Sequence, residues 1–476
     1  MEEIDNFNED LVNDVNQYLA ANGITFKEDT SNTTISYIPA PVSLKPSVYP
    51  KDVYTQIRSY QPVFNGMFEY LLRNMDKVYE ILRPVAEQDE FISNLIKLSK
   101  SVKETGTKQL GYLGVLRVDY MVTDDNKPKL VEMNTIWAGL GGISDQMPDF
   151  YDFMIDKYFE DLRYTSDKLP TDCHNVDGII DSFKQACELY KYSMPETSAK
   201  MIVAFIVDYE EANVCDQKHL ESALFKKHRI TCRRLTFADI YKNCELTENG
   251  QLIYKQKEEI AVVYYRSGYG PHQYADKSIW EARKILEVSK AIKWPNVDLQ
   301  LLTFKKIQEV LSDGTIWNEV FGTEFSSIQF LFKDQMFALD NPESSETQEI
   351  IEQAMKSPED FVLKTQREGG GNNYFGDDIP YILSNTDNLS QYSLMRKINP
   401  KEFEGIFLRK NKVYTSKCVS EIGIFGTLLV KHNDNDEDNE IVNNKDTGFL
   451  LRTKGSGTNE GGVYGGYSFI DCVYFK

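Results

Sequence analysis

The stretch Lys364-Thr-Gln-Arg-Glu-Gly-Gly-Gly-Asn-Asn373 joins three successive glycines to two cations and a carboxylate. Without Cβ atoms the backbone can take positive φ and bring its N–H groups close to a bulky anion, phosphate being the natural guest. Lys364 and Arg367 flank Glu368, a carboxylate that phosphates would repel unless a divalent cation lay between them, so the set points to Mg-nucleotide. The same residues also suit a glycine-rich hairpin with solvated charges, and a short motif alone does not separate the two.

Glu132 and Asn134 form a second candidate. The runs Val115–Thr123 and Lys129–Asn134 flank an Asp/Asn/Pro turn and read as a hairpin, and period two then puts Glu132 and Asn134 on one strand face. Their oxygens there suit either a hard divalent cation or a polar outer face. Thr135-Ile-Trp-Ala-Gly-Leu-Gly-Gly142 leaves the strand through small residues, a path for backbone approaching a ligand. A second glycine-rich loop, 455–466, follows Arg452 and Lys454. Two such loops with basic flanks weaken the hairpin reading.

Stepping outward, apolar residues Ile4, Phe7, Leu11, Val15 and Leu19 predict a first helix ending near Asn22-Gly23, followed by a Pro-containing loop. Tyr54–Lys103 predicts two or three helices broken by Pro62 and Pro84. Asp149–Leu162 and Ile179–Tyr190 read as helical. Met201–Val207 is a continuous apolar run of the kind found in buried parallel strands. With a helix near Lys218–His228 and strands at Ile230–Leu235 and Ile260–Tyr265, it predicts a small α/β unit over about 198–298. Glu211–Gln217 and Arg266–Pro271 lie just past two of its strands, where functional residues of such sheets belong. Helices are expected at Ala275–Ile292, from Lys305 and at Ser345–Met355, and strands at Tyr392–Ile398, Phe407–Tyr414 and from Cys418. Asn433–Glu440 lacks the glycine and final glutamate of a calcium loop and reads as a solvated turn.

The chain has 476 residues, enough for two or three domains, with 53 basic and 73 acidic side chains and a net charge of −20. That balance argues against nucleic acid or an anionic membrane as partner, and it requires a local basic pocket for any anionic substrate. No stretch approaches the ~20 apolar residues of a membrane span. The first ten residues lack the basic and apolar regions of a signal peptide, so a cytoplasmic protein is expected, secreted only if an upstream signal had been removed. Seven scattered cysteines without C-x-x-C spacing predict reduced thiols and no zinc site.

Taken together, Glu132-x-Asn134, Lys305, the Lys364–Asn373 stretch, Ser420-Glu-Ile-Gly-Ile-Phe-Gly426 and Leu450-Leu-Arg-Thr-Lys454 resemble glutathione synthetase of the eukaryotic type, from about residue 50 to the C-terminus. The resemblance implies a mixed α/β, circularly permuted ATP-grasp fold with an inserted small parallel α/β substrate domain and a glycine-rich lid. It divides the chain into 1–197, 198–298 and 299–476, with the lid at about 333–417. It further implies a homodimeric ligase that joins γ-glutamylcysteine to glycine with ATP and Mg²⁺.

The roles implied are these. Glu132, Asn134 and Glu368 would hold magnesium. ATP would be surrounded by Glu132, Lys305, Lys364, Gln366, Arg367, Glu368, Gly369, Gly370, Gly371, Asn372, Asn373, Phe375, the segment Met395, Arg396, Lys397, Ile398, and Glu421, Lys454 and Glu460. Arg117 and Arg452 would be catalytic and contact the dipeptide. The remaining substrate contacts would be Ile136, Trp137, Ala138, Gly139, Glu211, Ala212, Asn213, Gln217, Arg266, Ser267, Gly268, Tyr269, Val463 and Tyr464.

Of four departures from the family pattern, two lie at the donor and acceptor and two beside the nucleotide. Trp137, Ala138 and Gly139 stand where serine, alanine and serine are usual, and Tyr464-Gly465 where two alanines are usual. Phe375 replaces a tyrosine and Arg396 an acidic residue. The alternative reading is therefore a diverged relative with altered donor or acceptor and little of the family's usual activity, or a non-catalytic nucleotide-binding protein.

Overall fold

The structure, a computed structural model, describes residues 1–4, 7–30, 34–106, 109–159, 164–195, 199–368, 371–433, 439–459 and 461–476. Gly369, Gly370, Glu460 and most of the Asn433–Glu440 turn lie outside the described residues. The first helix spans Glu9–Ala21, capped by the Asn8 side chain accepting from Leu11 N and burying Leu11, Val12, Val15 and Leu19. Where the sequence reads as a loop, Thr25–Thr30 and Thr34–Pro39 pair as a hairpin. Three helices follow, α1 (Lys51–Arg73), α2 (Met75–Ala86) and α3 (Glu90–Glu104). Pro62 does not break α1, because the helix buries Ile57, Phe64 and Phe68 on one face and that packing outweighs one missing N–H. The breaks fall instead at Asn74 and before Asp89.

The expected hairpin is present as β1 (Gly111–Val122) and β2 (Pro128–Asn134). The parallel strands are β3 (Lys200–Ile206), β4 (Thr231–Leu235), β5 (Glu258–Tyr265) and β6 (Ile292–Trp294), ordered β4-β3-β5-β6 and continuing into β1 within one large mixed sheet. The helix expected over Ala275–Ile292 is shorter, Lys277–Val288, since Ile292–Trp294 pairs with Val262–Tyr264. A small separate sheet contains Met336–Ala338, β7 (Phe361–Thr365) and β8 (Tyr392–Arg396), with its own core of Ile350, Phe361, Leu363, Ile379 and Leu394.

Phe407–Tyr414, read as one strand, is a hairpin joining β9 (Phe403–Arg409) to β10 (Lys412–Lys431). Lys410 and Asn411 both take positive φ, 50° and 61°, the two-residue turn that matches strand twist. The long β10 then pairs with β1 on one side and β11 (Glu440–Gly455) on the other. β12 (Ser468–Asp471) pairs with β11 and the short strand Val42–Ser43, which pairs with β9, so these strands close on themselves.

Register decides which side chains meet. Asp119 lies opposite Glu132 and Gly423, Arg117 opposite Asn134 and Phe425, Met121 opposite Glu421, and Glu421 opposite Arg452. Period two therefore gathers Arg117, Asp119, Glu132, Asn134, Glu421 and Arg452 on one face. The opposite face of β1 carries Leu116, Val118 and Tyr120, the last in ring contact with Phe64 of α1.

Two positions test this arrangement. A Cβ on Gly423 would lie 2.6 Å from Arg117 Cδ, and closer still to Asp119 Oδ1. Gly423→Ala should therefore cost about 1–3 kcal/mol in denaturant unfolding, whereas Gly461→Ala, whose added atom would come no nearer than 3.9 Å to Glu421, should be close to neutral. Buried Asp471 accepts from Ser47 Oγ, Thr453 Oγ1, Tyr151 OH and its neighbour Cys472 N, tying the last strand to distant parts of the chain. Burial pushes its carboxyl up to about 6. A raised value means that the folded chain holds the proton more tightly, so this stability is present at about pH 4 and lost as pH rises through about 6. Asp471→Asn should remove that loss, and melting curves that shift in parallel for both proteins across the window would refute it.

Candidate active site

Asp119 is fully buried and is the centre of the site. Its carboxylate accepts from Arg117 Nε at 2.7 Å and Nη2 at 2.9 Å, from Arg452 Nη2 at 3.1 Å and from Asn134 Nδ2 at 3.1 Å. Arg452 also pairs with Glu421. Burying a carboxylate is tolerable only with such partners, and they in turn are aimed by it. The sequence reading named Arg117, Arg452, Glu421 and Asn134 but missed Asp119. The signal was available in Arg117-Val-Asp119, two charges two residues apart within an apolar strand.

At the other end, Lys305 Nζ lies 2.9 Å from Glu368 Oε1 and 3.4 Å from Glu132 Oε2, with Lys364 Nζ 4.0 Å from Glu132 and donating to Val131 O at 3.0 Å. Burial alone would raise the Glu132 carboxyl, but Lys305, Lys364, Arg452 and Arg117 outweigh it and hold the group well below the usual carboxylate range. Burial pushes Glu368 up; Lys305 opposes that shift and the Glu132 charge adds to it. Lys364 is pulled down by burial, with Glu132 opposing. Two carboxylates that reach one ammonium, with the Asn134 amide on the same face as Glu132, make a hard-oxygen donor set that fits Mg²⁺. Among the described residues no three acidic, histidine or cysteine side chains gather as a metal cage. Magnesium characteristically leaves its remaining positions to phosphates and water.

Both ends open onto one cavity of about 900 Å³. Its wall includes Arg117, Glu132, Asn134, Lys364, Glu368, Asn373, Phe375, the segment Met395–Ile398, Glu421, Arg452 and Lys454. Lys454 Nζ donates to Asn459 O. Arg396 lines the cavity, but its guanidinium stacks over Phe337 and Phe361. Three members of the glycine-rich stretch are engaged elsewhere. Arg367 pairs with Asp89, the N-cap of α3, and buried Gln366 accepts from Lys306 N and donates to Ser393 Oγ. Asn372 accepts at its carbonyl from Thr365 and donates from its side chain to Glu368 O. Gly371 has φ 85°, a conformation that suits glycine.

The residues expected at the organic substrates divide in two. Trp137, Gly139, Glu211, Ala212, Asn213, Val463 and Tyr464 line the cavity. Ile136, Ala138, Gln217, Arg266, Ser267, Gly268 and Tyr269 do not. Ile136 is in an apolar core cluster and Ala138 in another, Ser267 donates to Asp208, and the Gly268 carbonyl accepts from Gln300. Trp137 stacks on Tyr269 with ring centroids 4.7 Å apart. Phe26, from the unforeseen hairpin, also lines the cavity and meets the Tyr464 ring edge-on at 5.9 Å. A lone Phe in a stretch read as irregular gave no signal of this.

Comparison with known proteins fits this geometry. The family model for the eukaryotic glutathione synthase ATP-binding domain matches residues 5–475. A glutathione synthetase of Xenopus laevis is 33% identical over 461 residues, covering 94% of this chain and 92% of its own, and the large chain of the Schizosaccharomyces pombe enzyme is 31% identical over 492 residues, covering 98% and 97%. The fold alone is shared with a glutathione synthetase-like effector from Globodera pallida, at a TM-score of 0.74 and 19% identity over 98% of this chain and 96% of that one. The match along nearly the whole chain places it in the eukaryotic glutathione synthetase family of ATP-dependent ligases.

Proposed function

We propose that the chain activates the carboxylate of a γ-glutamylcysteine-like acid with ATP and joins it to a glycine-like amine through an acyl phosphate, working as a homodimer. The observation that supports this most is the single cavity in which the Glu132, Glu368 and Lys364 end and the Arg117 and Arg452 end meet. The donor carboxylate attacks the γ-phosphorus, the bond to the β,γ-bridging oxygen breaks and ADP leaves, while Lys305 and Lys364 neutralise charge on the phosphoryl oxygens. Mg²⁺, held by Glu132, Asn134 and Glu368, would add further charge neutralisation. Arg117 and Arg452 hold the carboxylate and then the oxyanion formed as the amine attacks, which collapses to the amide with loss of inorganic phosphate, their forks fixed by Asp119. The domain division is 1–197, 198–298 and 299–476. The small sheet and its glycine-rich edge, within about 333–417, act with loop 455–466 to exclude water, which would otherwise hydrolyse the acyl phosphate.

A second reading, altered donor or acceptor, draws support from Gly139. A Cβ there would lie 3.0 Å from Arg266 Nη2, so the family's usual serine calls for the guanidinium to give way by a few tenths of an ångström. Tyr464, with Phe26 beside it, narrows the acceptor end in place of alanine.

Two measurements follow. Phosphate release from Mg-ATP should require both γ-glutamylcysteine and an amine, with glycine, β-alanine and serine compared and the peptide identified by mass spectrometry. No turnover with any of these acceptors, despite measurable ATP binding, would shift the weight to the second reading, under which restoring Ser, Ser, Ala and Ala at 137, 139, 464 and 465 raises glutathione formation. Lys305→Met leaves Glu132 and Glu368 facing each other without their shared cation, so it should destabilise the metal-free protein by about 3–5 kcal/mol. Added Mg²⁺ should recover part of that loss in a thermal melt, and a deficit unchanged by Mg²⁺ would count against metal binding by this pair.

A further inference from the structure

Part of the cavity wall is an aromatic pair drawn from opposite ends of the chain. Phe26, in the hairpin strand Thr25–Thr30, and Tyr464, in loop 455–466, both line the cavity, and their rings meet edge-on at 5.9 Å. The loop lies beside the groups that hold the acyl centre. The Cβ direction of Gly461 ends 3.9 Å from Glu421 Oε2, and Glu421 pairs with Arg452. An amine that reaches a carbonyl held by Arg117 and Arg452 from this side passes between the loop and the hairpin.

The two rings are held differently. Phe26 is 3% exposed and Tyr464 63%. The hairpin is bound to the small α/β unit: Lys27 N donates to Ala212 O at 2.9 Å, Thr25 Oγ1 donates to Cys215 Sγ at 3.0 Å, and His219 Nε2 lies 3.2 Å from Gly23 O. Phe26 is therefore immobile. Around Tyr464 it is the backbone that is fixed. Gly466 N donates to Val463 O at 3.0 Å and Tyr467 N to Gly462 O at 3.1 Å, closing the turn on itself, and Arg409 Nη1 donates to Gly466 O at its base. A Cβ on Gly462 would meet nothing within 4 Å among the described residues. What narrows this space is the tyrosine ring, and the contact that holds the ring is its edge-on packing against Phe26.

We infer that Phe26 is a specificity-determining residue for the acceptor amine, an inference that rests on the ligase reading above. Its immobile ring holds the Tyr464 ring across the approach, and the pair sets a size limit. Glycine, with no side chain, passes, whereas the extra methylene of β-alanine or the hydroxymethyl of serine meets a ring. Without Phe26 the tyrosine swings into the vacated space and the limit relaxes.

Initial rates of peptide formation by the full chain with Mg-ATP and γ-glutamylcysteine give kcat/KM for glycine, β-alanine and serine. Phe26→Ala should lower the preference for glycine over the two larger amines roughly tenfold, the scale of one edge-on ring contact. The change should come from a gain with the larger amines, with the KM for ATP unmoved. A loss shared equally by all three acceptors, or a raised KM for ATP, is what a merely structural residue would give, and it overturns the inference. Tyr464→Ala should relax the preference as far and the double variant no further, and additive relaxation overturns the shared limit. Peptide formed by every protein with the parent's preference overturns the role of Phe26 and leaves the ligase reading standing, whereas no peptide from any protein with any acceptor overturns both. If Phe26→Ala does not fold, as judged by its thermal melt, Phe26→Leu keeps the apolar burial without the ring and is held to the same outcomes.

Discussion

The structure depends on one buried carboxylate. Asp119 cannot be solvated, so it must be paired, and its partners Arg117, Arg452 and Asn134 come from three different strands. Asn134 and Arg452 tie the registers of β2 and β11, because a slip of one residue would turn either group to the apolar face and leave the carboxylate short of partners, while Arg117 pairs with Asp119 along β1 itself. Gly423 follows from the same requirement, since the Arg117–Asp119 pair lies across the space that its side chain would fill. The guanidinium groups are thereby held in place before any substrate arrives. Such preorganisation is what stabilising an acyl phosphate and its oxyanion needs.

Lys305 has a comparable role between elements rather than within the sheet. It joins Glu132 of the β1–β2 hairpin to Glu368 of the glycine-rich stretch. Its neighbour Lys306 pairs with Glu309 and Asp340, and its backbone N–H is taken by Gln366. The start of one short helix therefore clips the small sheet to the core. Arg367 adds a third tie, to the N-cap of α3, so part of a motif that reads as phosphate-binding also serves to anchor.

What was legible in the chain was what local pattern records. Period two placed Glu132 and Asn134 on one face, and the apolar run Met201–Val207 announced a buried parallel strand, here part of β3. What was not legible came from contacts between distant residues. Nothing near Lys410-Asn411 marks a two-residue turn as Asn-Gly would, yet tertiary pairing imposes positive φ on both. The early end of the Lys277–Val288 helix is set by the pairing of Ile292–Trp294 with β5, which helical periodicity cannot foresee. Phe26 reaches the cavity only because an N-terminal hairpin folds beside Ala212, whose carbonyl accepts from Lys27 N. Asp119 was readable and was passed over, since a single acid in an apolar strand was not weighed as a counter-ion.

The two ends of the site differ in how their polar groups are satisfied. Around Lys305 and around Asp119 the charges answer one another: Lys305 and Lys364 meet Glu132 and Glu368, and Arg452 meets Asp119 and Glu421. Those groups are electrostatically closed, and any anion entering among them exchanges one set of ion pairs for another. Near Arg266, by contrast, donors and acceptors lie buried and unanswered beneath an indole. Desolvated groups without partners favour a ligand far more strongly than groups already paired. The departures from the family pattern, Trp137 and Gly139, stand at the boundary between these regimes: the Cβ direction of Gly139 ends 3.0 Å from Arg266 Nη2, and the same guanidinium lies 5.8 Å from the Trp137 ring.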